Sequence, residues 1–459
     1  MVSTPVKVKP LAPQPLMIDL TAALLCLNPV LTNTFLGQLT CIVKAMLSMS
    51  GRVTMLGISR WTNKGGSYRS VQRFFNSVLP WANLHWFFIR HHLLSKDDVI
   101  LLAGDETVVT KAGKKTHGLD RFFSSLYGKT VPGISFFVLS LISTKERTSF
   151  PVMIEQFVKE ENQEEENQEE ERQQQKEKRP PGRPKGSKNK NRHQVQLSPQ
   201  LLMIQTMIRS LLALIGVDVP LVYCVLDGAF GHNNALQMVA QCGLHLISKL
   251  RYDAALYFPY TGPQKRVGGR KKYGDKLNYK HIEAKYLKSD TTSKGIRERI
   301  YQMTMLSTTF PDPLNVVVII KTNLKKQTQA RVVLFSSHLE LGYEKLIDYY
   351  RLRFQIEFNF RDAKQYWGLE DFMNVKQRSV YNGANLSLFM VNLSRAMIVD
   401  FRNEHANFSV NDLKAHYRGV KYVEEVLKLL PAQAEPILIE AVFSNVLALG
   451  SVNVLPKAA

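Results

Sequence analysis

Cysteine is scarce in this chain of 459 residues, which contains only four. They stand at positions 26, 41, 224 and 242 and form no Cys-x-x-Cys pair. A disulfide scaffold and a zinc ribbon are therefore both disfavoured. Each cysteine lies in an apolar stretch, and we expect four buried thiols in a reducing compartment.

Long apolar runs are also missing. The most apolar stretches are interrupted by residues such as Asp19, Pro29 and Asp218, well short of the roughly 20 residues that a membrane helix needs. Asp19 also breaks the apolar run near the start, which is unlike a secretory signal peptide. We expect no membrane span and no secretion. No phosphate-binding loop or dinucleotide signature is present, so no nucleotide cofactor is predicted.

Acidic residues are few compared with basic ones. The chain has 60 Lys and Arg against 39 Asp and Glu, a formal net charge of +21. Such an excess of positive charge favours a polyanionic partner, most often nucleic acid. Hydrophobic residues still make up 45% of the chain, which is enough for a sizeable core and excludes a wholly disordered protein.

The first segment, residues 1–95, is predicted to be a helical DNA-binding domain. Its apolar spacing is helical, and Ser67 is a plausible N-cap for a helix whose position resembles the second helix of a helix–turn–helix. Arg69 and Arg73 lie one turn apart on that helix, so we expect them to contact DNA. An ordinary solvated basic face is an equally good interpretation of the same pattern.

Residues 96–250 have an α/β pattern and are predicted to form the first part of a catalytic core. Strands are expected at 98–105, 131–143, 148–158, 220–227 and 244–250, with helices at 198–216 and 234–243. Residues 159–195 interrupt this pattern with an acidic run followed by a basic one, and we predict a disordered insert. Its Pro-Gly-Arg-Pro sequence at 181–184 resembles an AT-hook, which predicts minor-groove contacts from Arg179, Arg183 and Lys185. A solvated basic linker is the alternative.

The rest of the chain divides into three further parts. Residues 251–340 are rich in Lys, Arg, Gly and Tyr and then strand-like, which predicts a β-rich insertion domain with a basic surface. Residues 341–400 are predicted to be core helices, and residues 401–459 a helical tail at the C-terminus.

Acidic residues stand at the ends of two predicted buried strands. Asp105 ends the first and Asp227 ends the fourth, where a carboxylate is costly unless a cation is nearby. A third acid is available downstream, because Tyr350, Arg353, Glu357 and Lys364 fall on one stripe of a continuous helix at 100° per residue. Three carboxylates would form an oxygen-only site suited to Mg²⁺ or Mn²⁺.

The spacing Tyr350-x2-Arg353-x3-Glu357-x6-Lys364 resembles the YREK signature of a branch of bacterial insertion-sequence transposases of the DDE type. Asp105 in LLAGDETVV and Asp227 in VLDGAFG resemble the first two motifs of that family. The resemblance implies a ribonuclease-H-like mixed sheet with flanking helices, interrupted by a β-rich insertion. It also implies that Asp105, Asp227 and Glu357 hold two divalent metal ions.

The same resemblance implies that Tyr350, Arg353 and Lys364 hold DNA near the cleaved end. The expected function is cut-and-paste transposition, in which a homodimer binds the inverted-repeat ends of its element, cleaves them and joins them to double-stranded target DNA in the bacterial cytoplasm, on the nucleoid. Two alternatives stay open: a nuclease with the same core that does not join strands, and a non-catalytic DNA-binding protein derived from a transposase.

Overall fold

A computed structural model of the protein describes residues 20–62, 66–124, 127–159, 191–404 and 406–428, together with positions 439, 442, 443 and 446. Most of the predicted acidic and basic insert, including Arg179, Arg183 and Lys185, lies outside the described residues. So does most of the predicted C-terminal tail beyond residue 428.

The helices of the described residues are α1 Leu20–Leu24, α2 Asn33–Ser48, α3 Met55–Trp61, α4 Tyr68–Asn76, α5 Trp81–His92, α6 Pro199–Ile215, α7 Asn233–Ala240, α8 Tyr343–Leu352, α9 Gln355–Tyr366, α10 Gln377–Glu404 and α11 Val410–Leu427. The strands are β1 Ile100–Thr110, β2 Asp120–Ser124, β3 Lys129–Ser143, β4 Thr148–Phe157, β5 Tyr223–Leu226, β6 His245–Leu250, β7 Leu256–Pro259, β8 Tyr273–Lys276, β9 Leu287–Ser293, β10 Ile296–Ser307, β11 Leu314–Asn323 and β12 Thr328–Ser336.

Hydroxyl side chains start the N-terminal helices. Thr32, Thr54 and Ser67 cap α2, α3 and α4, each accepting a hydrogen bond from a backbone N–H in the first turn. Such caps satisfy amides that a helix leaves unpaired. The prediction that Ser67 caps a helix is therefore confirmed. Arg69 and Arg73 are both exposed on α4.

The predicted α/β order is present with two differences. The first strand does not end at Asp105 but runs on to Thr110, and an unpredicted strand, β2, precedes β3. After Asp105 the burial pattern changes from continuous to alternating, with Thr107 and Val109 buried between more exposed neighbours. Alternation of this kind belongs to a strand with one covered face, so the strand continues although its apolar run stops.

One mixed sheet of 12 strands joins the core to the segment 251–340, in the order β2-β3-β1-β5-β6-β12-β11-β10-β7-β8. β4 pairs with β3, and β9 pairs with β10. The central strands β1, β5 and β6 are parallel to one another, whereas β12 pairs antiparallel with β6. The strands of the basic segment therefore extend the core sheet directly. This is the predicted mixed α/β sheet with flanking helices.

The long helix α10 connects the N-terminal helices to the sheet through buried asparagines. Asn382 accepts a hydrogen bond from Trp81 Nε1 at 2.8 Å and donates to the carbonyl oxygens of Phe75 and Ser77. Ten residues further along the same helix, Asn392 donates to the carbonyl of Pro151 in β4 at 2.8 Å. Buried amides paired in this way fix the position of one element against another.

The cysteines are all free thiols. Cys224 in β5 is buried as expected, but Cys26, Cys41 and Cys242 are only partly buried, so the prediction of four buried thiols was wrong for three of them. Their apolar neighbours lie on amphipathic elements, where a position near the edge of the covered face keeps some exposure. Among the described helices, none has the length and apolar character of a membrane span.

Candidate active site

Asp105 lies in the middle of β1 with both carboxylate oxygens engaged. Oδ1 accepts a hydrogen bond from the backbone N–H of Glu106 at 2.9 Å, and Oδ2 accepts one from Arg353 Nη1. Burial raises the pKa of Asp105 to about 6 although Arg353 opposes the shift, and the negative charges of Glu357 and Asp227 raise it further. The three carboxylates are therefore close enough to influence one another electrostatically.

Asp227 follows the last residue of β5, where the sequence predicted it. Its side chain caps a short 3₁₀ turn, accepting a hydrogen bond from the Ala229 N–H at 3.0 Å. Its carbonyl oxygen accepts a hydrogen bond from Ser248 Oγ in β6 at 2.6 Å. The β1–β5 register pairs Gly104 with Leu226. The residue that follows each of them in the chain is one of the two aspartates. Parallel pairing thus brings Asp105 and Asp227 to adjacent positions at the carboxyl end of β5.

The helix that carries Glu357 is not continuous, and the prediction of a single helix from Tyr350 to Lys364 was wrong. α8 ends at Leu352 and α9 begins at Gln355. Between them the backbone N–H groups of Phe354 and Glu357 donate to carbonyls three residues earlier, at 3.1 Å each. Bonds of this span wind the chain more tightly than an α-helix, so the joint shifts the stripe on which the four residues were expected.

Two of the four stripe residues meet the aspartates. Arg353 at the joint contacts Asp105 and lies close enough to Tyr350 to lower the pKa of its hydroxyl. Burial raises the pKa of the Tyr350 hydroxyl, Arg353 lowers it, and Asp227 raises it. Tyr350 and Arg353 therefore lie beside both strand-borne acids.

The other two stripe residues lie on α9. Glu357 is exposed in its first turn, within electrostatic range of Asp105. Lys364 donates to the carbonyl of Val108 at 2.8 Å and pairs with Glu370 at 3.3 Å. Lys364 thus contacts β1 three residues beyond Asp105. The exposed basic helix α4 packs on α2, α3 and α10 instead, so Arg69 and Arg73 are not part of this cluster.

The carboxylates of Asp105, Asp227 and Glu357 are the type of ligand that binds a divalent metal ion. Carboxylate oxygens are the ligands that Mg²⁺ and Mn²⁺ favour, although the guanidinium of Arg353 occupies Oδ2 of Asp105 in this structure. Within the described ranges, no three His, Cys, Asp or Glu side chains converge closely enough to hold one metal ion. The three acids are therefore near one another, but their side chains do not surround a common point.

Lys249 in β6 is a residue of this region that the sequence analysis missed. Its side chain lies across Gly228, the residue after Asp227: a Cβ placed on Gly228 would come 2.8 Å from Lys249 Cε and 3.6 Å from its Nζ. Lys249 is exposed between buried Ser248 and Leu250. A single lysine in the apolar run Leu-Ile-Ser-Lys-Leu was the available signal, but only the β5–β6 pairing places it beside Asp227.

A family model described as DDE superfamily endonuclease matches residues 26–306. This span is more than half of the chain and includes both Asp105 and Asp227, and it ends before Glu357. No curated protein shows a significant match to the chain. The mixed sheet with flanking helices is consistent with the ribonuclease-H-like fold of this family. Endonucleases of this family act on DNA and generally use divalent metal ions.

Proposed function

The chain belongs to the DDE superfamily of endonucleases, and from this premise we propose that it is a DNA transposase of the cut-and-paste type. It would bind the inverted-repeat ends of its insertion sequence, cleave them, and join them to target DNA. The observation that carries the proposal is the β1–β5 register, which brings Asp105 and Asp227 to adjacent strand positions, with Glu357 in electrostatic range.

The three acids have the role of metal ligands in this proposal. When bound, two Mg²⁺ or Mn²⁺ ions would activate the attacking water or 3′-hydroxyl and stabilise the leaving 3′-oxygen. Asp105 and Asp227 supply carboxylates from a rigid sheet, and Glu357 supplies one from α9. Because the three lie on separate elements, a metal centre forms only when α9 is correctly placed on the sheet.

The basic and phenolic residues beside the acids are proposed to hold the DNA strand. Tyr350, Arg353 and Lys364 match the YREK signature, and two of them contact β1 at or near Asp105. A guanidinium can grip a phosphate in a bidentate manner, whereas an ammonium acts as a point charge. Lys249, which is exposed beside the Asp227 turn, adds a further phosphate contact on the other side of the site.

More distant basic residues are proposed to supply bulk affinity for DNA. Arg69 and Arg73 project from α4 into solvent, as a helix that contacts DNA requires. We also propose that the insert binds the minor groove through Arg179, Arg183 and Lys185. A homodimer acting in the bacterial cytoplasm on the nucleoid completes the proposal, since two element ends must be handled together.

A nuclease that cleaves without joining is the second candidate. The family description supports a nuclease function directly, because it specifies endonuclease activity. Cleavage and joining both need the acids, so the two functions differ only in whether a 3′-hydroxyl is used as the nucleophile.

The test measures cleavage and joining separately. Asp227→Asn and Glu357→Gln remove a negative charge but keep the side-chain shape, and each should lower the rate of Mg²⁺-dependent cleavage by at least about 100-fold, which is roughly 2.7 kcal/mol of transition-state stabilisation. Glu344→Gln is the matched control, since Glu344 is an acid in the first turn of α8. End binding measured without divalent cations should be unchanged in all three variants.

Pre-cleaved ends then distinguish the two candidates. Wild-type protein that joins these ends to a plasmid is a transposase, and protein that cleaves but never joins is a nuclease. Wild-type cleavage by the Asp227→Asn variant would rule out that residue as a metal ligand.

A further inference from the structure

Arg353 already occupies the carboxylate that a metal ion would use. The side chains of Arg353 and Asp105 are only 14% and 15% exposed, so their ion pair is largely shielded from water. Asp105 Oδ1 is held by the Glu106 N–H, and Oδ2 by the guanidinium. A divalent ion approaching Oδ2 would therefore meet a fixed positive charge at close range, where repulsion is poorly screened.

The guanidinium is incompletely satisfied in this position. Its Nε is buried and has no hydrogen-bond partner within the described structure, although Nη1 contacts Asp105. A buried N–H group without a partner is unfavourable, because it has lost its hydrogen bonds to water without replacement. A phosphate group could accept two parallel hydrogen bonds from the same guanidinium, so exchange of Asp105 for a DNA phosphate would remove part of this deficit.

Arg353 also lies outside the regular part of either helix. It stands in the tight joint between α8 and α9, where backbone hydrogen bonds span three residues. The neighbouring Phe354 is exposed, and its ring packs edge-on against that of Phe358. A side chain at such a joint can be redirected without breaking a regular helical ladder.

We propose that Arg353 is a positioning residue that couples DNA binding to metal binding. Without DNA its guanidinium neutralises Asp105 and keeps the affinity for divalent cations low. When a DNA phosphate takes the guanidinium, Asp105 becomes available as a metal ligand. This inference rests on the proposed function, since it needs both DNA and a metal at the site.

The coupling is reciprocal by thermodynamic necessity. If DNA raises the metal affinity, the metal raises the DNA affinity by the same factor. The device would keep the site poorly loaded with metal until a strand is in place, which limits cleavage to DNA held beside Asp105.

The experiment measures Mn²⁺ affinity by calorimetry on the full-length chain, with and without a short DNA duplex that carries phosphorylated ends. For the wild type, saturating duplex should tighten Mn²⁺ binding by about tenfold, within the usual range of coupling. The Arg353→Gln variant should bind Mn²⁺ about tenfold more tightly than the wild type without DNA, and the duplex should then add little.

Two further variants make the result specific. Arg361→Gln is the matched control, because Arg361 is an arginine of α9 that pairs with Asp362, and it should behave as the wild type. Arg353→Lys keeps the charge but loses the planar fork, so its coupling should be intermediate. If melting temperatures show that Arg353→Gln folds poorly, the Arg353→Lys variant tests the coupling in its place.

Two results would overturn the proposal. One is that the wild type and Arg353→Gln bind Mn²⁺ with equal affinity without DNA. The other is that the duplex raises the Mn²⁺ affinity of both proteins by the same factor. Failure of the proposed function has a different signature: the Asp105→Asn and Asp227→Asn variants would then bind Mn²⁺ as well as the wild type. If those two variants lose Mn²⁺ binding while Arg353→Gln is unchanged, only the coupling is refuted.

Discussion

Replacing Gly104 by alanine should disturb both strand-borne acids at once. Gly104 precedes Asp105, and its register partner Leu226 precedes Asp227. A Cβ at position 104 would lie 2.6 and 2.9 Å from two ring atoms of Phe137 and 3.1 Å from Leu226 Cδ2. Phe137 is 1% exposed, so its ring has no space to retreat. Overpacking of this kind destabilises a core by about 1–3 kcal/mol.

The same clash should also reduce the cleavage rate. Relief requires β1 to move away from β5 or the Phe137 ring to tilt, and either movement displaces Asp105 relative to Asp227. A displacement near 1 Å at reacting groups can lower a rate by about 100-fold. We therefore expect Gly104→Ala to lower the free energy of unfolding by about 1–3 kcal/mol and the cleavage rate by about 100-fold, measured by urea denaturation and by end-cleavage kinetics.

A second substitution and a control sharpen this prediction. Phe137→Leu removes part of the ring, so the double variant should recover stability relative to Gly104→Ala alone. Gly113→Ala is the control, because a Cβ there meets only Thr116 Oγ1 at 3.8 Å, and it should leave both measurements unchanged. A Gly104→Ala protein with wild-type stability and cleavage would refute the close approach of β1, β5 and Phe137.

Two other perturbations test the stability and the DNA-binding surface. Burial lowers the pKa of His416 from 6.5 to about 4, so between these pH values the unfolded chain takes up a proton at this position and the folded chain does not, and His416 alone should lower the free energy of unfolding by about 2 kcal/mol at pH 5. Buried His85, whose pKa is lowered to about 3, adds a loss of the same sign, so His416→Gln should reduce the pH dependence by about 2 kcal/mol at pH 5 without abolishing it, and an unchanged profile in chemical denaturation would contradict this contribution. Each of Arg69→Ala and Arg73→Ala should reduce the slope of log affinity against log salt by about 0.9, whereas Arg90→Ala, which removes a residue paired with Asp218, should not; slopes equal to the wild type in both test variants would exclude α4 from the DNA interface.

The strands that carry the acids could be predicted because their local pattern is strong. Continuous apolar residues before Asp105 and Asp227 indicated strands covered on both faces, and both strands are present. The end of β1 could not be located, because a strand that becomes covered on one face changes its pattern to alternation without a turn signal. The register between β1 and β5 is set by tertiary packing and was also beyond local reasoning.

The break between α8 and α9 illustrates the same limit. No glycine or proline interrupts residues 343–366, so periodicity favoured one continuous helix. The structure instead has a tight joint at Arg353, whose guanidinium contacts Asp105, 248 positions earlier in the chain. A contact between residues so far apart in the chain leaves no periodic pattern in the sequence, and tertiary contacts of this kind can override helix propensity.

Two of the three carboxylates are positioned by strands of the sheet and the third by a helix, so their positions depend on different contacts. Asp105 and Asp227 follow the backbone pairing of parallel strands, so their separation is set by the sheet. Glu357 depends on α9, which is anchored two residues later by Asn359, whose buried amide donates to Ser149 Oγ of β4 at 2.9 Å. Six residues, fewer than two helical turns, separate that anchor from the joint at Arg353. The placement of the third acid therefore depends on how α9 packs on the sheet through Asn359 and on the joint at Arg353, and not on strand register.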